Sequence, residues 1–284
     1  VELGWCGAVG RGTRRRPPMH ATERPLALVT GASSGIGREL ARQFGLNGHD
    51  VIMAADGREK LEEARMRLQG DVPAARFETL VADLSTREGV DRLYRSLGAR
   101  PIAVLAANAG GGVAGRFSET DLDDELSVIQ LNVSGQVHLV KLVLRDMLAR
   151  GEGRILITSS LVSLSPGPFM AIYAATKAFL RSFGLAIRNE LEHAPVTVTV
   201  LMPGATETDF FESADMEDTN IAQGAKDDPA DVAKEAYEAL MKGSAQVVSG
   251  TANKLRAAAA RITPDTALAQ INRDQARSED GRQD

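Results

Sequence analysis

Tyr173 and Lys177 stand four residues apart in YAATKAFLRSFGLAIRNEL, a run that reads as a helix. Residues at i and i+4 share one helix face, so the phenol and the ammonium reach the same point. A free tyrosine, with a pKa of about 10, is a poor acid–base catalyst near neutrality. A neighbouring ammonium stabilises the phenolate and draws that pKa towards the working range. Ser160, upstream of the pair, adds a hydroxyl that can donate to an oxygen on which negative charge develops. The chemistry on offer is proton exchange at a substrate oxygen. Tyr-x-x-x-Lys also arises by chance, so it carries weight only if the same chain holds a cofactor site.

That site is legible near the start of the ordered chain. LALVT (26–30) is an uninterrupted apolar run, the mark of a strand buried on both faces. It feeds GASSGIG (31–37) and then a helix. Gly31 permits the tight turn, Gly35 lets a pyrophosphate approach the backbone, and Gly37 allows close helix–strand packing. The helix N-terminus offers N–H groups and a positive dipole to phosphates. Asp56, at the end of the strand VIMAAD (51–56) and about 20 residues beyond the loop, is placed to bind the adenosine ribose hydroxyls or to cap the next helix. Asp83 closes the strand FETLVADL (77–84). It suits either the adenine amino group or a helix cap through Leu84, Ser85 and Thr86.

The elements that must position these residues follow in alternation. IAVLAA (102–107) is a strand ending in Asn108, Ala109 and Gly110, small residues that suit close passage of a cofactor or a plain turn. A long helix is expected from Asp121 to about Ala149. Asn132 lies inside it, marking either a local break that holds water or Lys177, or a solvent-facing position. RILITSS (154–160) delivers Ser160 at the carboxyl edge of the sheet, where ligands bind in open α/β folds. After the Tyr173 helix come the strand VTVTVL (196–201), a turn at Pro203-Gly204, and a polar stretch, 205–228, of a length that suggests a mobile substrate lid. A helix over 231–242, a short strand (246–250) and a final helix, NKLRAAAARI, complete the pattern. The fold expected is a single-domain α/β Rossmann fold: a doubly wound parallel sheet of about seven strands with helices on both faces.

Composition sets the outer limits. With 284 residues, 43% hydrophobic and 4% aromatic, the chain suits one such domain, over 25–262. A formal charge of −5 gives no reason to expect a nucleic-acid partner, and no apolar run approaches the ~20 residues that span a bilayer. The single cysteine, Cys6, forms no intrachain disulfide and points to the cytoplasm. Residues 1–24 lack both hydrophobic period and the apolar stretch of a secretory leader, and read as a disordered tail. Residues 263–284 read as a second tail. The four histidines are scattered, so no metal is expected.

Assembled, these pieces resemble the short-chain dehydrogenase/reductase family, in its generic bacterial carbonyl-reductase-like branch. TGASSGIG matches the family's Thr-Gly-x-x-x-Gly-x-Gly loop, and Asn108-Ala109-Gly110 its Asn-Ala-Gly signature. LNVSG carries Asn132, and Tyr173 and Lys177 supply Tyr-x-x-x-Lys. Pro203-Gly204 through Thr208 matches the Pro-Gly-x-x-x-Thr segment at the nicotinamide end. The resemblance implies an NAD(P)-dependent oxidoreductase that interconverts an alcohol and a ketone or aldehyde. Tyr173 would be acid/base, Lys177 would lower its pKa and bind the nicotinamide ribose, Ser160 would polarise the reacting oxygen, and Asn132 would hold a water linked to Lys177. It also implies cofactor contacts from Ser33, Ser34, Ile36, Leu84, Pro203, Gly204 and Thr208. A homodimer or homotetramer is implied, built on the 121–149 and Tyr173 helices, with Ala174, Ala175 and Ala178 allowing close approach. Asp56 stands where members of this branch often carry an arginine for a 2′-phosphate, which favours NAD over the alternative NADP. A nucleotide-sensing regulator on the same fold should have lost Ser160, Tyr173 or Lys177. A hydride-cycling epimerase or dehydratase should carry a large C-terminal substrate domain.

Overall fold

A computed structural model describes residues 24–276 apart from 215, 217 and 218. The expected N-terminal tail, Arg24 excepted, and Cys6 lie outside the described residues. Seven strands form one parallel sheet: β1 (Leu26–Thr30), β2 (Asp50–Ala55), β3 (Phe77–Val81), β4 (Ile102–Ala107), β5 (Gly153–Thr158), β6 (Val196–Met202) and β7 (Gln246–Val248). Their order is β3-β2-β1-β4-β5-β6-β7. The chain crosses from one side of β1 to the other on passing from β3 to β4, so the helices that follow β1 and β4 lie on opposite faces of the sheet and leave a crevice at the strands' carboxyl ends.

The helices are α1 (Gly35–Leu46), α2 (Arg58–Asp71), α3 (Arg87–Leu97), α4 (Leu122–Ile129), α5 (Gln136–Arg150), α6 (Ala171–Glu190), α7 (Phe210–Ser213), α8 (Asn220–Gln223), α9 (Pro229–Met241), α10 (Thr251–Ala260) and α11 (Asp265–Ala276). On one sheet face Leu40 and Phe44 of α1, Leu61 and Leu68 of α2, and Val232 and Leu240 of α9 pack on Val29, Val51 and Met53. On the other face Val90 and Leu93 of α3, Leu139 and Met147 of α5, and Leu180 of α6 cover Leu28, Leu105 and Ile155. Each such side chain contributes roughly 1.5–3 kcal/mol by leaving water, so both faces hold the strand ends rigidly.

β5 and β7 end two residues earlier than expected, at Thr158 and Val248, and three larger changes bear on the site. The strand read as 77–84 stops at Val81, because only the Ala82 N–H still reaches the sheet, on Ala55 O at 2.9 Å, before Asp83 turns the chain. The helix read as 121–149 is divided by a π-helical turn, Gln130–Gly135. The tail read as 263–284 contains α11. Pro264 opens it by accepting from the Ala267 and Leu268 N–H groups at 3.0 and 3.1 Å, and its polar composition hides an apolar stripe of Leu268 and Ile271.

Candidate active site

The glycine loop leaves β1 with Gly31 at φ +64° and Gly35 at φ +50°, values that favour glycine. A Cβ on Gly37 would stand 1.9 Å from Gly31 O, so α1 sits directly on the turn. Ser34 is the N-cap of α1 but makes no side-chain capping bond, and no acidic residue occupies the first turn. The helix therefore presents its N-terminal N–H groups towards the crevice without a competing carboxylate, as a pyrophosphate requires.

The strand ends are tied together behind this loop. Thr30 Oγ1 accepts from the Asn108 and Ala109 N–H groups, both at 3.0 Å. The Asn108 amide donates to Thr30 O at 3.2 Å, and its Oδ1 accepts from Thr158 Oγ1 at 3.1 Å. Asn108 thus spends its side chain on joining β1, β4 and β5, while its backbone and that of Ala109 and Gly110 edge the crevice.

At the end of β5 the chain presents Ser160 and turns through a 3-10 turn, Leu161–Leu164. Ser159 Oγ donates to Lys177 O at 2.7 Å and pins α6 to β5. Lys177 Nζ, buried, donates to Thr158 O at 3.2 Å and lies 5.6 Å from the centre of the Tyr173 ring. Ser160 Oγ is loosely held: it accepts from Val162 N at 3.3 Å and faces Pro203 O at 3.5 Å. Asn132 is fully buried in the π-helical turn. Its Oδ1 accepts from Gly111 N at 3.0 Å, and its Nδ2 donates to Gly111 O at 2.9 Å and to Thr176 Oγ1 at 3.0 Å. A wider helical turn lets that side chain leave the ladder and bond to the β4 exit loop, which is why the break falls here. The solvent-facing alternative for Asn132 is thereby excluded.

Burial governs the titration of the pair. Desolvation pushes the Tyr173 phenol up to about 12, and the Ser160 hydroxyl bonded to it pulls the other way. Desolvation also draws the Lys177 ammonium down to about 8. Loss of water around the ring is the largest influence on the phenol, and it runs against the depression expected from Lys177.

Pro203, Gly204 and the lid close the crevice from the other side. A Cβ on Gly204 would meet the Asn253 side chain at 2.3 Å, and Asn253 Nδ2 donates to Asp227 Oδ2 at 2.7 Å. The lid's neck is drawn shut by Glu207 N donating to Asp227 O at 3.0 Å and Asp227 N to Ala205 O at 2.8 Å. Thr208 lies over the glycine loop, where a Cβ on Gly35 would meet its methyl at 2.6 Å. Residues 205–228 carry their own small core of Phe211, Ala214, Met216 and Ala222 with Met170, and the Phe210 and Tyr173 rings pack with centres 4.9 Å apart.

One cavity of about 540 Å³ joins these parts. It is lined by Gly31, Ser34, Gly35, Ile36, Gly37, Asn108, Ala109, Gly110, Ser160, Tyr173, Lys177, Pro203, Gly204 and Thr208 from the sequence-derived set. Ser33, Asp56, Asp83, Leu84 and Asn132 do not line it. Asp56 is exposed at the end of β2, its Oδ1 accepting from Gly57 N at 2.8 Å; Gly57, not Asp56, is the N-cap of α2. Asp83 accepts from Ser85 N and Oγ, and the N-cap of α3 is Thr86. Leu84 is buried, its carbonyl packed where a Cβ on Gly135 would stand at 2.0 Å. Ala174 faces inward against Gly167, so it is withdrawn from the surface that Ala175 and Ala178 share. Sequence reasoning missed Thr30, Ser159, Thr176 and Asn253, of which only Thr30, a polar residue closing an apolar strand, left a readable signal.

Residues 25–219 match the profile of a family described as short chain dehydrogenase. An uncharacterised short-chain type dehydrogenase/reductase of Sinorhizobium fredii is 36% identical over 201 residues, spanning 69% of this chain and 76% of that protein. A solved short-chain dehydrogenase from Sphingobium yanoikuyae in complex with NADPH is similar with a TM-score of 0.74 at 27% identity, covering 90% of this chain and 99% of that one. A short chain dehydrogenase/reductase from Burkholderia phymatum in complex with NAD shares the fold, with a TM-score of 0.77 at 23% identity over 89% of this chain and 97% of its own.

Proposed function

The chain belongs to the short-chain dehydrogenase/reductase family of NAD(P)-dependent oxidoreductases, and on that premise we propose that it interconverts an alcohol and a ketone or aldehyde, with Tyr173 exchanging the proton. The observation that carries this reading is the convergence of Ser160, Tyr173 and Lys177 at one part of a cavity whose other part is the glycine loop. The nicotinamide cofactor, when bound, supplies or accepts the hydride. Gly31, Ser34, Gly35 and Gly37 would hold its pyrophosphate at the N-terminus of α1, and Gly110, Pro203, Gly204, Thr208 and Lys177 would border its nicotinamide half.

In reduction, Tyr173 Oη gives its proton to the carbonyl oxygen as the carbonyl carbon gains hydride, and Ser160 donates a hydrogen bond to the same oxygen. A phenol at about 12 keeps its proton through the neutral range, the state that reduction needs. Oxidation needs the phenolate, so kcat/KM for an alcohol rises with pH across the range below 12, while reduction changes little. Lys177, facing Gly110 together with Asn132 Oδ1, orients the ribose and takes part in proton return through a water at Asn132.

Asp56 favours NAD. Its carboxylate is exposed at the end of β2, from where it would accept from free ribose hydroxyls and repel a 2′-phosphate. The homo-oligomeric state belongs to the same reading and is supported by exposed apolar residues on α4 (Leu122, Leu126) and α6 (Phe179). So does the cytoplasmic setting, inferred from the lone cysteine. Among the described residues no helix is long and apolar enough to cross a membrane.

The test is a screen of carbonyls and alcohols with both cofactors, followed by nicotinamide absorbance. Turnover with a kcat/KM preference for NAD(H) is expected. Turnover with a clear preference for NADP(H) would overturn the role given to Asp56 and pass it to Arg58, two residues on.

A further inference from the structure

The cavity extends well beyond Tyr173, and its far wall comes from the segment after β7. Arg256, Ala259 and Ala260 of α10 line it at i, i+3 and i+4. Leu268, Ile271 and Asn272 of α11 do the same. Two consecutive helices thus turn one face each to the same space. The face of α10 is small, leaving room; that of α11 is apolar, with Ile271 still 50% exposed and so uncovered by protein.

α11 is held where it is by the loop that joins Ser160 to Tyr173. Asn272 Nδ2 donates to Ser165 Oγ and to Pro166 O, both at 2.8 Å. The Arg273 guanidinium stacks 5.5 Å from the Phe169 ring centre, and Asn220 Nδ2 on the lid donates to Asp274 O at 3.0 Å. The helix therefore bridges the catalytic loop and the lid over the cavity.

Charge in the lining is sparse. Apart from Lys177, committed to Thr158 O, the only cation lining the cavity among the described residues is Arg256, and no carboxylate of those residues lies within ion-pair distance of it. Val162, Leu164, Met170, Phe210 and Phe211 give the same lining a large apolar share, and its carboxylate, Asp209, is paired with Lys60 at 3.3 Å. An arginine at the edge of an apolar chamber is suited to a carboxylate, which its planar fork meets with two parallel bonds.

Resting on the oxidoreductase reading, we propose that α10 and α11 form the specificity wall of this enzyme. The substrate is a carbonyl compound or its alcohol with an extended apolar body and a carboxylate at the far end. The carboxylate pairs with Arg256, the body lies against Leu268 and Ile271, and the carbonyl reaches Tyr173 and Ser160.

The probe pair is 4-(4-acetylphenyl)benzoate and its methyl ester, which share a rigid body and differ in charge. Wild type should reduce the acid with a kcat/KM at least about tenfold above the ester's, the difference lying in KM. Arg256→Gln should bring the ratio to about one with kcat on the ester unchanged, and Arg256→Lys should restore part of it. Leu268→Ala with Ile271→Ala should lower kcat/KM for acid and ester alike, while cofactor affinity stays within about twofold. An acid-to-ester ratio that is the same in wild type and Arg256→Gln would overturn the proposal. If no carbonyl is reduced with either cofactor, calorimetric titration of the acid separates the two ideas. Binding that Arg256→Gln abolishes upholds the wall and sinks the reaction, whereas no binding overturns the wall as well.

Discussion

Around Tyr173 and Lys177 the cavity wall is backed by buried, mutually bonded groups, whereas the wall formed by α10 and α11 is made of half-exposed side chains with few bonds. Asn132 is fully buried with three hydrogen bonds, Lys177 is fixed on Thr158 O, and Ser159 fixes the helix that carries both catalytic side chains. Across the cavity, Arg256 is exposed and Leu268 and Ile271 are only partly covered. The difference follows from what each wall must do. Proton transfer fails if the donor is displaced by about an ångström, so its support is over-determined. A wall that selects a molecule must still offer uncovered apolar surface and an unpaired charge for that molecule to satisfy.

Of the two walls, the buried one is most sensitive at Lys177. Lys177→Met should lower kcat by about a thousandfold or more, because both the ribose contact and the charge beside Tyr173 are lost. It should also stabilise the fold at pH 7. Below pH 8 the wild type carries a buried ammonium whose pKa has fallen from 10.5 to about 8. The unfolded chain then holds more protons between pH 8 and 10.5, so wild-type stability rises with pH in that window. The Met variant's advantage, at most about 3 kcal/mol at pH 7 less what the Thr158 carbonyl loses as a partner, should shrink through it. Denaturant midpoints at pH 7 and pH 10 measure this, and an advantage that grew with pH would reverse the assignment.

Asn132→Ala comes next. It strands the Gly111 N–H and C=O and removes the reason for the π-helical turn, at a cost of about 2–4 kcal/mol and a fall of roughly 5–10 °C in Tm. A variant melting within a degree of wild type would show that the wall is not bonded as described. Asp56→Arg should shift the NAD-to-NADP ratio of kcat/KM by about tenfold or more, muted by solvent around so exposed a side chain. An unchanged ratio would remove Asp56 from cofactor choice. The smallest effect expected is from deleting residues 1–18, upstream of Arg24. Arg24 already anchors the chain through Gly45 O at 2.7 Å and Asp50 at 3.3 Å. Melting temperature and kcat should not move, and a large fall in either would show that the tail packs on the fold.

The same division decides what the sequence could reveal. β1 and β4 lie where apolar runs placed them, because burial on both faces leaves no polar residue in their interiors to blur the pattern. β3 and β5 end earlier than read, since Asp83 and Ser160 close them with side-chain bonds that a hydropathy pattern does not show. Asn132 gave a hint, being a mediocre helix former in mid-helix, but its Gly111 partner is 21 residues away. The exposed wall was hardest to see. α11 is polar overall, and its two large apolar residues, Leu268 and Ile271, gain meaning only beside a cavity built from the rest of the chain. Asn253 meets Gly204 and Asp227, a grouping that no local spacing announces.

The central claim is that the buried wall exists to position one hydroxyl. Tyr173→Phe tests it most directly, since the ring and its packing on Phe210 remain and only the proton donor goes. Turnover of a competent carbonyl should be followed by nicotinamide absorbance, with cofactor binding measured separately by calorimetry. With this variant kcat should fall by at least about a hundred- to ten-thousandfold, with cofactor affinity within a few-fold of wild type. A Phe variant, free of wild-type contamination, that kept most of its activity would contradict it.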